Sequence, residues 1–210
     1  QKVCILVANR AQKLFFVAPD IGDRQIVQIA VHTGVDDNHL FFHFQRRELG
    51  LLQKFRQTLA AVQQALVSHP ELNQTFDGER LTAVQGQPVG VAVATDANVV
   101  LAPVVQTAAD ADLEALAGHS GELISRARDG KVTTSDQVPA AITVSNLGMY
   151  GVKAFTAMVT PPQVMVLSVG AVQRIPVFNE ADEVVARSVI TLTLGSDHRV
   201  VNGAQAAAFL

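Results

Sequence analysis

The spacing of apolar residues changes period along this chain, and that change limits the fold more than any other feature. Leu51, Phe55, Leu59, Val62 and Leu66 recur at steps of three and four, with Gln, Lys and Arg between them. They share one face of an amphipathic helix, which His69-Pro70 stops because proline cannot donate to the helical ladder. Leu113, Leu116, Leu123, Ile124 and Ala127 predict a second helix over 110–129, closed by Gly130. Around these helices stand short runs rich in β-branched residues, at 89–94, 99–105, 141–145, 163–172 and 184–194. Their length and composition predict strands. The first two flank a turn at Asp96-Ala97-Asn98, and Pro103 assigns its own run to an edge or bulge. Nearer the start, 14–17, 26–31 and 40–44 predict three more strands, and at the other end Gly203 opens a small-residue helix. Neighbouring strands follow one another near the middle and end of the chain, without strict alternation with helices. The fold class that follows is α+β, with helices layered on a mixed β-sheet. No internal repeat, low-complexity tract or Pro/Gly/Ser linker interrupts it, so residues 1–210 are expected to form a single domain.

Composition narrows the function classes. A chain of 210 residues with 49% hydrophobic side chains can build its own core without disulfide or metal staples. Sixteen Lys and Arg against 19 Asp and Glu leave a net charge of −3, which supplies no field for a polyanion and argues against nucleic acid as partner. No apolar run reaches the roughly 18 residues that a membrane span requires. The single Cys4 has no intrachain partner, and the six histidines show no metal-ligand spacing, so no metal is expected. Phosphate-cradling glycine motifs of nucleotide enzymes are missing as well. The opening Gln1-Lys2-Val3-Cys4-Ile5 has no signal-peptide pattern and no initiator Met, and reads as part of something larger.

Two stretches carry chemistry-bearing side chains. In Gly195-Ser196-Asp197-His198-Arg199-Val200-Val201-Asn202-Gly203, a histidine stands at a strand end, four positions before an Asn-Gly turn. It reads either as a loop histidine between solvated charges or as a rigidly held base. An imidazole, with a reference pKa of about 6.5, is a natural base for a thiol near 8.5. In Thr143-Val144-Ser145-Asn146-Leu147-Gly148-Met149-Tyr150-Gly151, a strand runs into a glycine-punctuated loop. There Ser145 and Asn146 read either as turn residues bonded to nearby backbone or as side chains presented to a ligand. The stretch is not a Gly-x-Ser-x-Gly nucleophile elbow.

Taken in order, His69-Pro70-Glu71-Leu72-Asn73, Val89-Gly90-Val91-Ala92-Val93-Ala94-Thr95, Ser145 to Gly151, Phe155-Thr156-Ala157, Pro161-Pro162-Gln163 and Asp197 to Gly203 resemble the catalytic core of the dihydrolipoamide acyltransferases, the central subunits of 2-oxo acid dehydrogenase complexes. The likeness covers about two thirds of the chain, from His69 to Leu210, with motifs in the family's order. Residues 1–50 match poorly, although Arg10 sits where the family carries an N-terminal arginine. Asn202 stands where the family usually has Asp. Within the family, Asn146 to Gly151 and Pro161-Pro162-Gln163 are most similar to the acetyltransferases of pyruvate dehydrogenase complexes.

The resemblance implies a chloramphenicol acetyltransferase-like two-layer sandwich that forms homotrimers, which assemble into a core of 24 or 60 subunits. It implies transfer of an acetyl or other acyl group between dihydrolipoamide and coenzyme A, both substrates. Lipoamide is carried on a lipoyl domain outside this stretch. His198 is implied as the general base, Ser145 as the oxyanion donor and Asn202 as the residue that holds the His198 loop. Base and oxyanion donor are expected from adjacent subunits. The 2-oxo acid dehydrogenase and lipoamide dehydrogenase components are the implied partners. Location is cytoplasmic in a bacterium and the mitochondrial matrix in a eukaryote. The family's fold also implies that the chain stops short of the usual C-terminal end. Alternatives within the same frame are a branched-chain or succinyl specificity, a free-standing acyltransferase, and a non-catalytic scaffold subunit.

Overall fold

A computed structural model describes residues 3–9, 12–18, 26–34, 51–97, 99–106, 112–179 and 181–210, with backbone alone for the first three segments and for 51–54. The predicted strand 40–44, Arg10, and the histidines at 39 and 43 lie outside the described residues, as does Asn98 of the expected turn. Strands β1 (Val3–Asn9), β2 (Gln12–Ala18) and β3 (Ile26–Gly34) come first. Helix α1 (Leu51–Ser68) follows, then a small hairpin of β4 (Gln74–Phe76) and β5 (Leu81–Ala83). Next are β6 (Val89–Val91), β7 (Val93–Ala94), β8 (Val100–Leu101), β9 (Val104–Val105) and helix α2 (Leu113–Arg128). The rest comprises β10 (Ile142–Asn146), β11 (Met165–Val169), β12 (Gln173–Phe178), β13 (Val184–Asp197) and α3 (Gly203–Phe209).

The main sheet runs β2-β1-β3-β13-β11-β10-β6-β9, with β12 joined to the first half of β13. Its pairings are of both kinds: β10 is parallel to β11 and β6, whereas β13 is antiparallel to β3, β11 and β12. This is the mixed sheet that the order of segments predicts. The expected run at 99–105 is split by Ala102-Pro103, and β9 lies on the sheet edge, where a residue without an N–H costs no ladder bond. Pro103 still contributes its carbonyl, which accepts the Val91 N–H at 2.8 Å. Strands β1, β4, β5 and β12 are absent from the sequence-based expectation. The β4–β5 hairpin did carry a signal in Asp77-Gly78, a turn dipeptide between Phe76 and Leu81.

Helices α1 and α2 cover one face of the sheet. Phe55, Leu59, Val62 and Leu66 meet Leu116, Leu123 and Ala127 over Val89, Val91, Ile142, Val144, Met165, Leu167 and Leu194 in one core. Leu113 departs from its expected place: it begins the helix and is half exposed. Asp112 caps α2 by accepting the Ala115 N–H at 2.6 Å. At the other end, Lys131 N–H reaches Arg126 O and Gly130 N–H reaches Ala127 O, which is why a glycine in the left-handed region is needed there.

The turn after α2 is secured by buried Asp136, whose carboxylate accepts the Thr133 N–H and hydroxyl and the Arg126 Nη2–H at 2.7 Å. The Thr133 N–H is the main reason this carboxyl is held below the ordinary carboxylate range, with Arg126 adding to it. A depressed pKa stabilises the fold above the unfolded value and loses that contribution as pH falls through the folded one. Asp136→Asn is therefore expected to lower Tm at pH 7, with the gap to wild type closing as the pH drops below about 4 in thermal melts.

Candidate functional site

Alternation along β10, β11 and β13 sorts their side chains by face. Ile142, Val144, Met165, Leu167 and Leu194 point into the helix layer, so Thr143, Ser145, Ser168, Thr191 and Thr193 fall on the opposite face. Ser145, Ser168 and Thr193 stand in one register row across the three strands. An extended strap over 152–160 crosses this hydroxyl-bearing face: Ala171 N–H donates to Val152 O, and Ala157 N–H donates to the Ser168 hydroxyl at 3.0 Å.

Ser145 is half-buried at the end of β10, and no hydrogen bond engages its hydroxyl among the described residues. The turn reading holds instead for Asn146, whose Oδ1 accepts the Gly148 N–H at 2.8 Å. Both glycines of this loop have a physical reason. A Cβ at Gly148 would sit 2.7 Å from the Gly170 carbonyl oxygen, and Gly151 has φ 76°.

His198 follows β13 directly and is half-buried. Of its two flanking charges, Arg199 is exposed, but Asp197 is not the solvated charge that one reading made it. Asp197 is buried, and its carboxylate takes Arg199 Nε–H at 3.0 and 3.2 Å, Nη2–H at 2.6 Å and the Arg199 backbone N–H at 3.1 Å. These bonds hold the Arg199 proton more tightly than usual. The guanidinium also lies 4.8 Å from the centre of the Phe76 ring, a contact that no motif in the sequence signals.

Asn202 is exposed and caps α3. Its Oδ1 accepts the Gln205 N–H at 2.9 Å, while Gln205 Oε1 accepts the Asn202 N–H at 3.0 Å. This reciprocal box fixes the helix start four residues after His198.

Ser145 and His198 of one chain are not brought together. The Ser145 row meets β13 at Thr193, and His198 lies five residues further on, about 17 Å along the strand at roughly 3.4 Å per residue. Two strand spacings separate them sideways as well. Two side chains so placed cannot both reach one carbonyl, so a site that uses both needs a second copy of the chain.

Among the described residues, no group of three or more His, Cys, Asp or Glu side chains is arranged to hold a metal, and no helix is long and apolar enough to cross a membrane. A cavity of about 700 Å³ beside the β4–β5 hairpin is lined by Thr75, Asp77, Thr82 and Gln87, and contains neither Ser145 nor His198.

Comparison with known proteins adds to this geometry. The model of the 2-oxoacid dehydrogenases acyltransferase family (catalytic domain) matches residues 43–210. The dihydrolipoyllysine-residue acetyltransferase component of the pyruvate dehydrogenase complex of Zymomonas mobilis is 35% identical over 146 residues, 70% of this chain and 33% of that protein. The corresponding component of the Bacillus subtilis acetoin cleaving system is also 35% identical, over 70% of this chain and 36% of its own length. The chain thus spans about a third of the length of these relatives. A crystal structure of the Azotobacter vinelandii dihydrolipoamide acetyltransferase is similar with TM-score 0.76 and 27% identity, covering 89% of this chain and 79% of that one. That structure addressed the role of a serine, a histidine and an asparagine in the catalytic mechanism, the last two four positions apart. The cubic core of a pyruvate dehydrogenase multienzyme complex matches with TM-score 0.70 and 26% identity, over 89% and 79% of the two chains. Chloramphenicol acetyltransferase shares the fold alone, with TM-score 0.50 and 13% identity over 87% and 84%.

The cap on α3 yields a direct check. Asn202→Ala is expected to cost about 1 kcal/mol in denaturant unfolding, whereas Asn202→Asp, which keeps the accepting oxygen, stays close to wild type.

Proposed function

Because this chain belongs to the 2-oxoacid dehydrogenase acyltransferase family, we propose that it moves an acetyl group between dihydrolipoamide and coenzyme A as the catalytic core of a pyruvate dehydrogenase complex. The observation that carries this reading is the separation of Ser145 from His198. Each is presented at its own end of the sheet, as a site shared between adjacent subunits of a homotrimer requires. The similarity to a cubic core supports assembly of such trimers into a larger particle of 24 or 60 subunits.

His198 of one subunit takes the proton from the thiol of coenzyme A, and the thiolate attacks the carbonyl carbon of acetyl-dihydrolipoamide. Ser145 of the adjacent subunit donates its uncommitted hydroxyl to the oxyanion. Collapse of the tetrahedral intermediate expels the dihydrolipoamide thiolate, which recovers the proton from His198; the reverse direction uses the same groups. Thioester exchange is nearly balanced, so the barrier lies in forming the thiolate and the oxyanion, the two charges these side chains serve. Asn202 fixes the start of α3 and, with it, the far end of the His198 loop. A serine, a histidine and an asparagine were likewise studied for their part in the Azotobacter mechanism, which supports involvement of the matching trio here, since His198 and Asn202 are also four apart.

The acetyl reading is supported by the relatives, which are acetyltransferase components, one of a pyruvate dehydrogenase complex and one of an acetoin cleaving system. The 2-oxo acid dehydrogenase and lipoamide dehydrogenase components complete the reading as partners. We place residues 1–210 in one domain, in the cytoplasm of a bacterium or the matrix of a mitochondrion. Retention of both His198 and Ser145 speaks against a scaffold subunit without catalysis.

His198→Ala is expected to reduce transfer by at least about 10²-fold, and Ser145→Ala by about 10²–10³-fold, with assembly intact. Refolding the two variants together in equal amounts should restore roughly a quarter of wild-type activity, because one in four interfaces then pairs an intact serine with an intact histidine. Failure to complement would sink the shared site. Rates with acetyl-, succinyl- and isobutyryl-coenzyme A measure the specificity, and a preference for succinyl would overturn the acetyl assignment.

A further inference from the structure

We propose that Phe76 is a positioning residue for the His198 turn, acting through Arg199. The inference rests on the reading of His198 as the base, since only then does the placement of this turn matter for transfer. The backbone on both sides of His198 is referenced to Asp197. Its carbonyl accepts the Val200 and Val201 N–H groups at 3.0 and 2.9 Å, its carboxylate accepts the Arg199 N–H, and its own N–H donates to Val164 O at 2.8 Å.

Asp197 and Arg199 alone do not fix the turn. The Arg199 side chain is 37% exposed, and a partly exposed pair on a long side chain retains several geometries in water. The Phe76 ring selects one of them: the planar guanidinium that grips Asp197 lies over its face at 4.8 Å. Phe76 is itself anchored to the chain that leads into β11. Its N–H donates to Pro162 O at 2.7 Å, and Thr75 bridges to Gln163. The contacts therefore close a ring, from Val164 to Asp197, Arg199, Phe76, Pro162 and back through Gln163 to Val164, with His198 on its rim. An aliphatic side chain at 76 fills the space but offers no negative face to the cation, so the ring opens at that point.

The test compares Phe76→Leu, which removes the aromatic face, with Phe76→Tyr, which keeps it, in the assembled protein. Hydrogen exchange read by mass spectrometry is expected to quicken over residues 197–201 in Phe76→Leu and to stay at the wild-type rate in Phe76→Tyr. Transfer kinetics are expected to show kcat lowered about three- to tenfold in Phe76→Leu, the size of one lost cation–π contact, with KM for both thiols unchanged and Phe76→Tyr near wild type. Arg199→Lys, which keeps charge but loses the planar fork, is expected to reproduce both effects and serves if Phe76→Leu does not assemble. Wild-type exchange and kcat in Phe76→Leu, or equal losses in Phe76→Leu and Phe76→Tyr, would overturn the inference. A wild-type protein without transfer activity would instead overturn the acyltransferase reading, and the exchange comparison would still decide the role of Phe76.

Discussion

Strand β13 pairs with β3 along one side and with β11 along the other through the same residues, from Leu192 to Ser196, and both halves of the sheet depend on that shared ladder. A backbone hydrogen-bonded on both sides cannot slip by one residue without turning every side chain to the wrong face. Leu194 would leave the helix-covered core, and Thr193 would enter it. The register is thus enforced by burial, and it carries two consequences for chemistry. It delivers Asp197 and His198 to one end of the sheet, and it aligns Thr193 with the row that ends in Ser145.

The two faces of the central strands serve different purposes. One is a packed apolar surface under α1 and α2, where Leu59, Leu116, Ile142, Met165 and Leu194 are fully enclosed. The other carries hydroxyls, beneath a strap that the Ser168 hydroxyl helps to anchor. Burying such a face is tolerable because its polar groups are satisfied by backbone of the strap and by neighbouring side chains, such as Thr143 with Gln163 at 2.6 Å. Within the row, Ser168 is engaged by the strap, and no side-chain hydrogen bond holds Ser145 or Thr193 among the described residues.

Much of this was legible before any coordinates. The three-four periodicity of Phe55, Leu59, Val62 and Leu66 marks a buried helix face, and the β-branched runs mark sheet, because both patterns arise from local geometry. The hairpin at 74–83 is marked only by its Asp77-Gly78 turn dipeptide, its strands being three residues each, and β12 is not legible because Pro176 speaks against a strand until its edge position is known. At the site, His198, Ser145 and Asn202 were marked by motif. Arg199, exposed as one of two readings has it, shows no sign in the sequence of its grip on Asp197, since a sequence does not show that this aspartate is buried. Phe76 carried no mark, because its partner is 123 positions away and the contact exists only once β4 has joined the Pro162 loop.

By itself, then, the sequence determined the helix faces, the strand-rich mixed class and the residue types able to move a thiol proton and hold an oxyanion, all of which depend on chemistry or on spacing within one segment. Only the tertiary structure decided where those residues stand relative to one another. Strand register, which is a long-range choice made by burial on both faces, sets Ser145 and His198 at separate ends of the sheet, so the two motifs of one chain do not meet.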